Sequence, residues 1–137
     1  MSIVIENLQS AFQRAIAGRP NVGGFPYLAE TLRKAGVTRN SWYLPSCQSL
    51  YLTNDGPVVI VGNPLVSGIV DVARFDQHAL ITALRIDQAG ESSFEQFLEA
   101  CWKAGVVRYD VDFSARLVHY YGANGEEYSE SYPLAEI

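Results

Sequence analysis

Apolar residues recur at helical spacing near the start of each half of the chain. Ala11, Phe12 and Ala15 line one side of a segment from Asn7 to Ala17, and Leu80, Ile81 and Leu84 do the same from Asp76 to Ile86. Spacings of three and four residues place such positions on one helix face. Asn7 and Asp76 are both residue types that favour an N-cap, so each segment reads as a short amphipathic helix. A second stripe, Phe94, Phe97, Leu98 and Cys101, follows Ser92 and Ser93, either of which can cap a helix that Glu95 or Gln96 answers. Its first-half counterpart runs from near Pro26, a residue allowed in a first turn, through Leu28 and Leu32.

Both second helices are expected to end at the same tetrapeptide, Lys34 to Val37 and Lys103 to Val106. Gly36 and Gly105 suit the left-handed residue that closes a helix, with Val37 and Val106 packing back on Leu32 and Cys101. Lys34 and Lys103 then lie where the helix dipole favours a cation. The repeated Lys-Ala-Gly-Val reads as a helix stop, because every residue in it has a structural task.

Beyond each stop the apolar period shortens to two. Strands are expected at Asn40 to Leu44, Ser49 to Thr53 and Val58 to Gly62, and again at Val107 to Phe113, Arg116 to Tyr121 and Glu126 to Tyr132. Asn54-Asp55-Gly56, a Ser-Ala pair and Gly122 to Gly125 supply turns between them. Laying Lys34 on Lys103 fixes an offset of 69 residues, and that register holds without a gap. Eleven identities fall between Phe25 and Leu65, a stretch of 41 positions, where unrelated composition gives about two or three.

The predicted fold is therefore α+β, a single domain spanning 1–137. It is an internal duplication of a helix-helix-three-stranded antiparallel meander unit, with repeats near 3–65 and 72–134 and pseudo-twofold symmetry. The pattern leaves open whether the meanders join in one sheet or stack as two layers. Val66 to Arg74 links the halves, and its apolar content suggests a segment packed on the domain.

Composition narrows the function classes. Apolar residues make up 48% of the 137, enough for a core without a disulfide or metal. A formal charge of −5 and scattered Lys and Arg argue against nucleic acid and an anionic membrane as partners. The longest apolar stretch, Val58 to Val72, is broken by Gly62, Asn63, Pro64 and Gly68 and is too short to span a bilayer. The first twenty residues do not read as a secretion signal, and Cys47 and Cys101 lack metal-ligand spacing, so a cytoplasmic location is expected. The Gly-rich pieces match neither a phosphate loop nor a dinucleotide fingerprint, and no cofactor is expected.

Three groups of residues could carry chemistry. Asp110 and Asp112 share one strand face, roughly 7 Å apart, and could hold a cation or share a proton, or merely face solvent. His119 on the next strand could approach them as an acid–base set, although its repeat counterpart is Leu50, which points to an ordinary half-buried position. Cys101 lies on an apolar helix stripe, whereas Cys47 sits in what reads as an exposed turn. The aromatic surplus is the most suggestive feature: Trp42, Tyr51, Tyr109 and Tyr120 lead a set crowded into the meanders. An outward share of those rings would form a ligand cleft or a subunit contact.

Phe94, Phe97, Cys101, Gly105-Val106, Tyr109 to Asp112, Tyr120-Tyr121, Gly125, Glu130 and Pro133, with Phe25, Leu32, Gly36-Val37, Tyr51 and Asp55-Gly56 in the first half, carry a family likeness. The chain resembles the YbcV-like family of bacterial and prophage proteins, often labelled "phage envelope protein". His119 and Gly122 depart from that family's pattern around the Tyr pair. The resemblance implies an α+β fold and no established reaction. The leading expectation is a non-enzymatic protein that binds a protein partner or a second copy through Trp42, Tyr51, Tyr109, Asp110, Asp112, His119 and Tyr120. The alternatives are a small-molecule domain with a cleft between the repeats, and an enzyme using Asp110, Asp112 and His119.

Overall fold

Residues 2–137, which the computed structural model describes, form four helices and six strands in the expected order. The first half contains α1 (Ile3–Gly18), α2 (Gly24–Lys34), β1 (Val37–Tyr43), β2 (Gln48–Thr53) and β3 (Gly56–Val61). The second contains α3 (Gln77–Gln88), α4 (Phe94–Lys103), β4 (Val106–Asp112), β5 (Leu117–Gly122) and β6 (Glu127–Ser131).

Helix ends follow local chemistry. Asp76 caps α3 by accepting from the Ala79 N–H, and Ser93 and Gln96 form a capping box on α4. Asn7 does not cap α1. That helix starts four residues earlier, where the Ser2 side chain accepts from the Ile5 N–H. Both helix stops form as expected: Gly36 has φ 96° and Gly105 φ 85°, and their N–H groups donate to the Arg33 and Trp102 carbonyls at 3.0 Å.

The two meanders join in one antiparallel sheet of order β3-β2-β1-β4-β5-β6. The joint is the pairing of β1 with β4, the same strand in each repeat, and Ser41 faces Asp110, its own repeat counterpart. A local twofold relation therefore passes between these two residues. Irregularities fall at matched places: bulges at Val37/Arg39 and Val106/Arg108, and positive φ at Cys47 (58°) and Arg116 (54°). On the helix side another matched pair meets, where the Asn21 side-chain amide donates to the Gly90 carbonyl at 3.3 Å.

One sheet face carries the core. Tyr51, Val58, Tyr109, Val111, Val118 and Tyr120 pack there with Leu8 of α1, Leu32 of α2, Leu80 and Leu84 of α3, and Phe97 and Leu98 of α4. The linker departs from expectation. Ile69 is fully exposed and Val70 and Val72 are nearly half exposed, while Leu65 and Phe75 pack partly at its ends. The backbone explains this: Leu65 N–H is held by the Pro45 carbonyl and Asp76 N–H by the Ala104 carbonyl, so the intervening stretch is suspended between two anchors.

Candidate interaction surface

The four leading aromatic candidates face inward, whereas Tyr43 is exposed and Tyr121 lies on the open face under Arg108. Register aligns Trp42, Tyr109, Tyr120 and Tyr128 in one transverse row on the helix-covered side. Trp42 stacks on Tyr109 at 6.2 Å between ring centroids, Tyr109 meets Tyr120 at 5.7 Å, and Tyr120 meets Tyr128 at 6.5 Å. Such cross-strand ring pairs add roughly 0.5–1.5 kcal/mol each beyond the area they bury. Tyr51 packs edge-on against Phe12 of α1, and burial pushes its phenol up to about 12. Tyr51, Tyr109 and Tyr120 are buried and Trp42 half-buried, so these four rings hold helices to sheet and offer no outer aromatic face.

The polar candidates lie on the other face. Asp110 stands directly opposite His119, with Asp112 two residues along. Asp112, however, is engaged by the β4–β5 turn, accepting from the Ala115 and Ser114 N–H groups at 3.0 and 3.1 Å, and pairs with Arg39. The Ala115 bond first, then Arg39, holds its carboxyl below the usual range. Asp110 lies 3.3 Å from Arg108, whose guanidinium sits 4.4 Å over the Tyr121 ring. His119 turns to β6 instead, with Nδ1 2.6 Å from Ser129 Oγ and 3.3 Å from Glu127. The three residues share a face but engage different partners. Among the described residues no group of three or more His, Cys, Asp and Glu is placed to hold a metal ion.

Cys47 is buried, not exposed as its turn suggested, because the chain folds back and Gly62 N–H bonds the Cys47 carbonyl at 3.0 Å. Cys101 is also fully buried, and both thiols are free.

The two sheet edges differ sharply. The β6 edge carries Glu127 and Glu130, and Glu130 is tied to Arg85 at 2.8 Å and to the Tyr128 hydroxyl at 2.6 Å. The β3 edge reads Gly-Pro-Val-Val-Ile-Val and has no charged residue. Val59 is 53% exposed and Val61 75%. Beside it, α1 and β3 leave a groove of about 330 Å³ lined by Ile5, Leu8, Gln9, Phe12 and β3 residues. Natural sheets shield edges with charge or cover, and β6 has the charge that β3 lacks.

Residues 13–131 match the family described as "Protein of unknown function (DUF1398)". The chain belongs to this family. The uncharacterized proteins Rv2012 of Mycobacterium tuberculosis (strain H37Rv) and Mb2035 of Mycobacterium bovis are each 53% identical to it over 136 residues. That alignment spans 99% of this chain and 83% of each relative. The expected likeness to a family without an assigned activity is thus met, while these matches carry neither the YbcV-like name nor the phage envelope label.

For this DUF1398 protein the sequence named the open-face residues but missed the β3 edge. A signal was present: Val58 to Val61 contain no charge, whereas the matched positions Glu127 to Glu130 hold two. No helix among the described residues is long and apolar enough to cross a membrane.

Proposed function

We propose that this DUF1398 protein is a non-enzymatic cytoplasmic binding protein that takes up an extended segment of a partner chain on the β3 edge. One observation carries this reading: an uncharged, valine-rich edge strand runs beside an apolar groove. An added strand gains backbone hydrogen bonds from the edge and sends alternate side chains into the groove beside α1. The surface differs from the aromatic one expected from sequence, since those rings are committed to the core. The acidic chain, at −5, argues against nucleic acid as the partner, and two buried free thiols suit a reducing compartment.

The experiment is a titration of isotope-labelled protein with a short synthetic peptide of alternating valine and threonine, followed by amide shifts. Shifts centred on Val59, Val61, Ile5 and Phe12 are expected. Shifts centred on Asp110, His119 and Tyr121 instead would move the binding site to the open face and contradict the reading.

A further inference from the structure

We infer that the strand received by β3 is β3 of a second copy of this chain, paired antiparallel about a twofold axis at Val59. Two six-stranded sheets then become one continuous sheet. The inference rests on the strand-capture reading and names its occupant.

Hydrogen-bond parity restricts the axis to the outward-facing positions Pro57, Val59 and Val61, of which Val59 is the middle one. Gly62 N–H bonds the Cys47 carbonyl, and β3 pairs with β2 as Ile60 with Ser49 and Val58 with Tyr51. Alternation along an antiparallel pair then turns the Ile60 and Val58 N–H groups toward β2 and those of Val59 and Val61 outward. Pro57 also faces outward and has an acceptor but no donor. With Val59 opposite Val59 of the second copy, the two residues exchange bonds, and each Val61 N–H meets the other copy's Pro57 carbonyl. Every outward donor between Pro57 and Val61 finds an acceptor. The missing proline N–H leaves only the Val61 carbonyl of each copy without a donor from the other, at the two ends of the joint.

Charge and closure select the same partner. Self-pairing at β3 brings together only valine, isoleucine and proline side chains, with no like charges opposed. Self-pairing at β6 would instead bring the glutamates of both copies, Glu127 and Glu130, along one joint. Joining β3 of one copy to β6 of the next is heterologous and would run on as an open filament, whereas β3 on β3 closes after two chains. The fold already contains such a joint, since β1 and β4 are equivalent strands paired antiparallel about Ser41 and Asp110. On the helix side, Val58 and Ile60 of the second copy would lie beside the groove lined by Ile5, Leu8 and Phe12.

Native mass spectrometry of the chain tests this with three proteins: wild type, Val59→Lys, and Val59→Glu, the last two alone and mixed. Val59 is half-exposed, so neither charge should disturb the fold, which circular dichroism checks. Wild type should be a dimer. Each variant alone opposes like charges across the axis and should dimerise roughly a hundredfold more weakly. Their mixture should restore a dimer containing one Lys and one Glu chain. A wild-type dimer that survives both substitutions would overturn the inference, because another surface would hold it. A monomeric wild type that still shifts Val59 and Val61 on peptide addition would also overturn it while leaving strand capture standing. A monomer indifferent to the peptide would end both.

Discussion

Asn7 and Asp76 hold matched positions in the two repeats, and each bonds the carbonyl that closes the second helix of its own half. Asn7 does so with its side chain, donating Nδ2–H to the Ala35 carbonyl at 2.9 Å. Asp76 does so with its backbone, donating N–H to the Ala104 carbonyl at 2.8 Å. The duplicated unit thus keeps one contact by two different chemical means.

That difference separates two substitutions. Asn7→Ala removes the only one of these two bonds that depends on a side chain and should cost about 1 kcal/mol in urea unfolding. Asp76→Ala leaves the backbone bond but removes the α3 cap on the Ala79 N–H, also about 1 kcal/mol. Asp76→Asn, which can still cap, should recover most of that loss, whereas Asn7→Asp, which has no donor, should not rescue Asn7.

The two helix-stop glycines should differ as well. A Cβ at Gly105 would stand 2.7 Å from the backbone of Arg74 and Phe75, whereas at Gly36 the nearest atom is the Asn54 side chain at 3.3 Å. Both sites have positive φ, which costs an alanine roughly 1–2 kcal/mol. Gly36→Ala should therefore lose about that much, and Gly105→Ala more, by roughly another 1–3 kcal/mol of overpacking. Equal melting temperatures for the two variants would contradict the packing described at the linker's second anchor.

Acid should weaken the β6 side of the fold first. Arg85, with help from Tyr128 and Gln88, holds the Glu130 carboxyl down at about 2, below its ordinary 4.5. A depressed carboxylate contributes stability above its unfolded value and loses it as pH falls through the folded one. Wild type should lose stability progressively between about pH 5 and pH 2, and Glu130→Gln should flatten that slope. The difference at neutral pH is about 1–2 kcal/mol, because Arg85 is half exposed and screened.

The thiols should be silent in the folded chain. Burial pushes Cys101 up to about 12 and raises Cys47, and neither side chain reaches solvent appreciably. A chromogenic disulfide reagent at neutral pH should titrate neither thiol in native protein and both in urea. Rapid native reaction at Cys47 would mean that its turn opens.

Much of this architecture is legible in the chain because helix caps and stops are local. Asp76, Ser93, Gly36 and Gly105 act on neighbours a few residues away, and the offset between repeats carries the reading from one half to the other. The facing of the aromatics is not local. Tyr120 and Tyr121 exchange core and surface with a one-residue slip, and only pairing with Tyr109 and Arg108 settles which is inside. The linker misled for the same reason: Ile69, Val70 and Val72 look like core by type, but their burial depends on where two distant anchors hold the backbone. The β3 edge needed the strand order, since an uncharged strand becomes an unshielded edge only once nothing lies beyond it.

The most direct measurement of the central claim is amide hydrogen exchange at Val59 and Val61, in protein purified gently from its own cells and again after high dilution. The account predicts protection of both amides in the first state and fast exchange in the second, with Val58 and Ile60 slow in both because they bond β2. Val59 and Val61 exchanging freely in both states, while amides elsewhere gain protection from the bound partner, would contradict it.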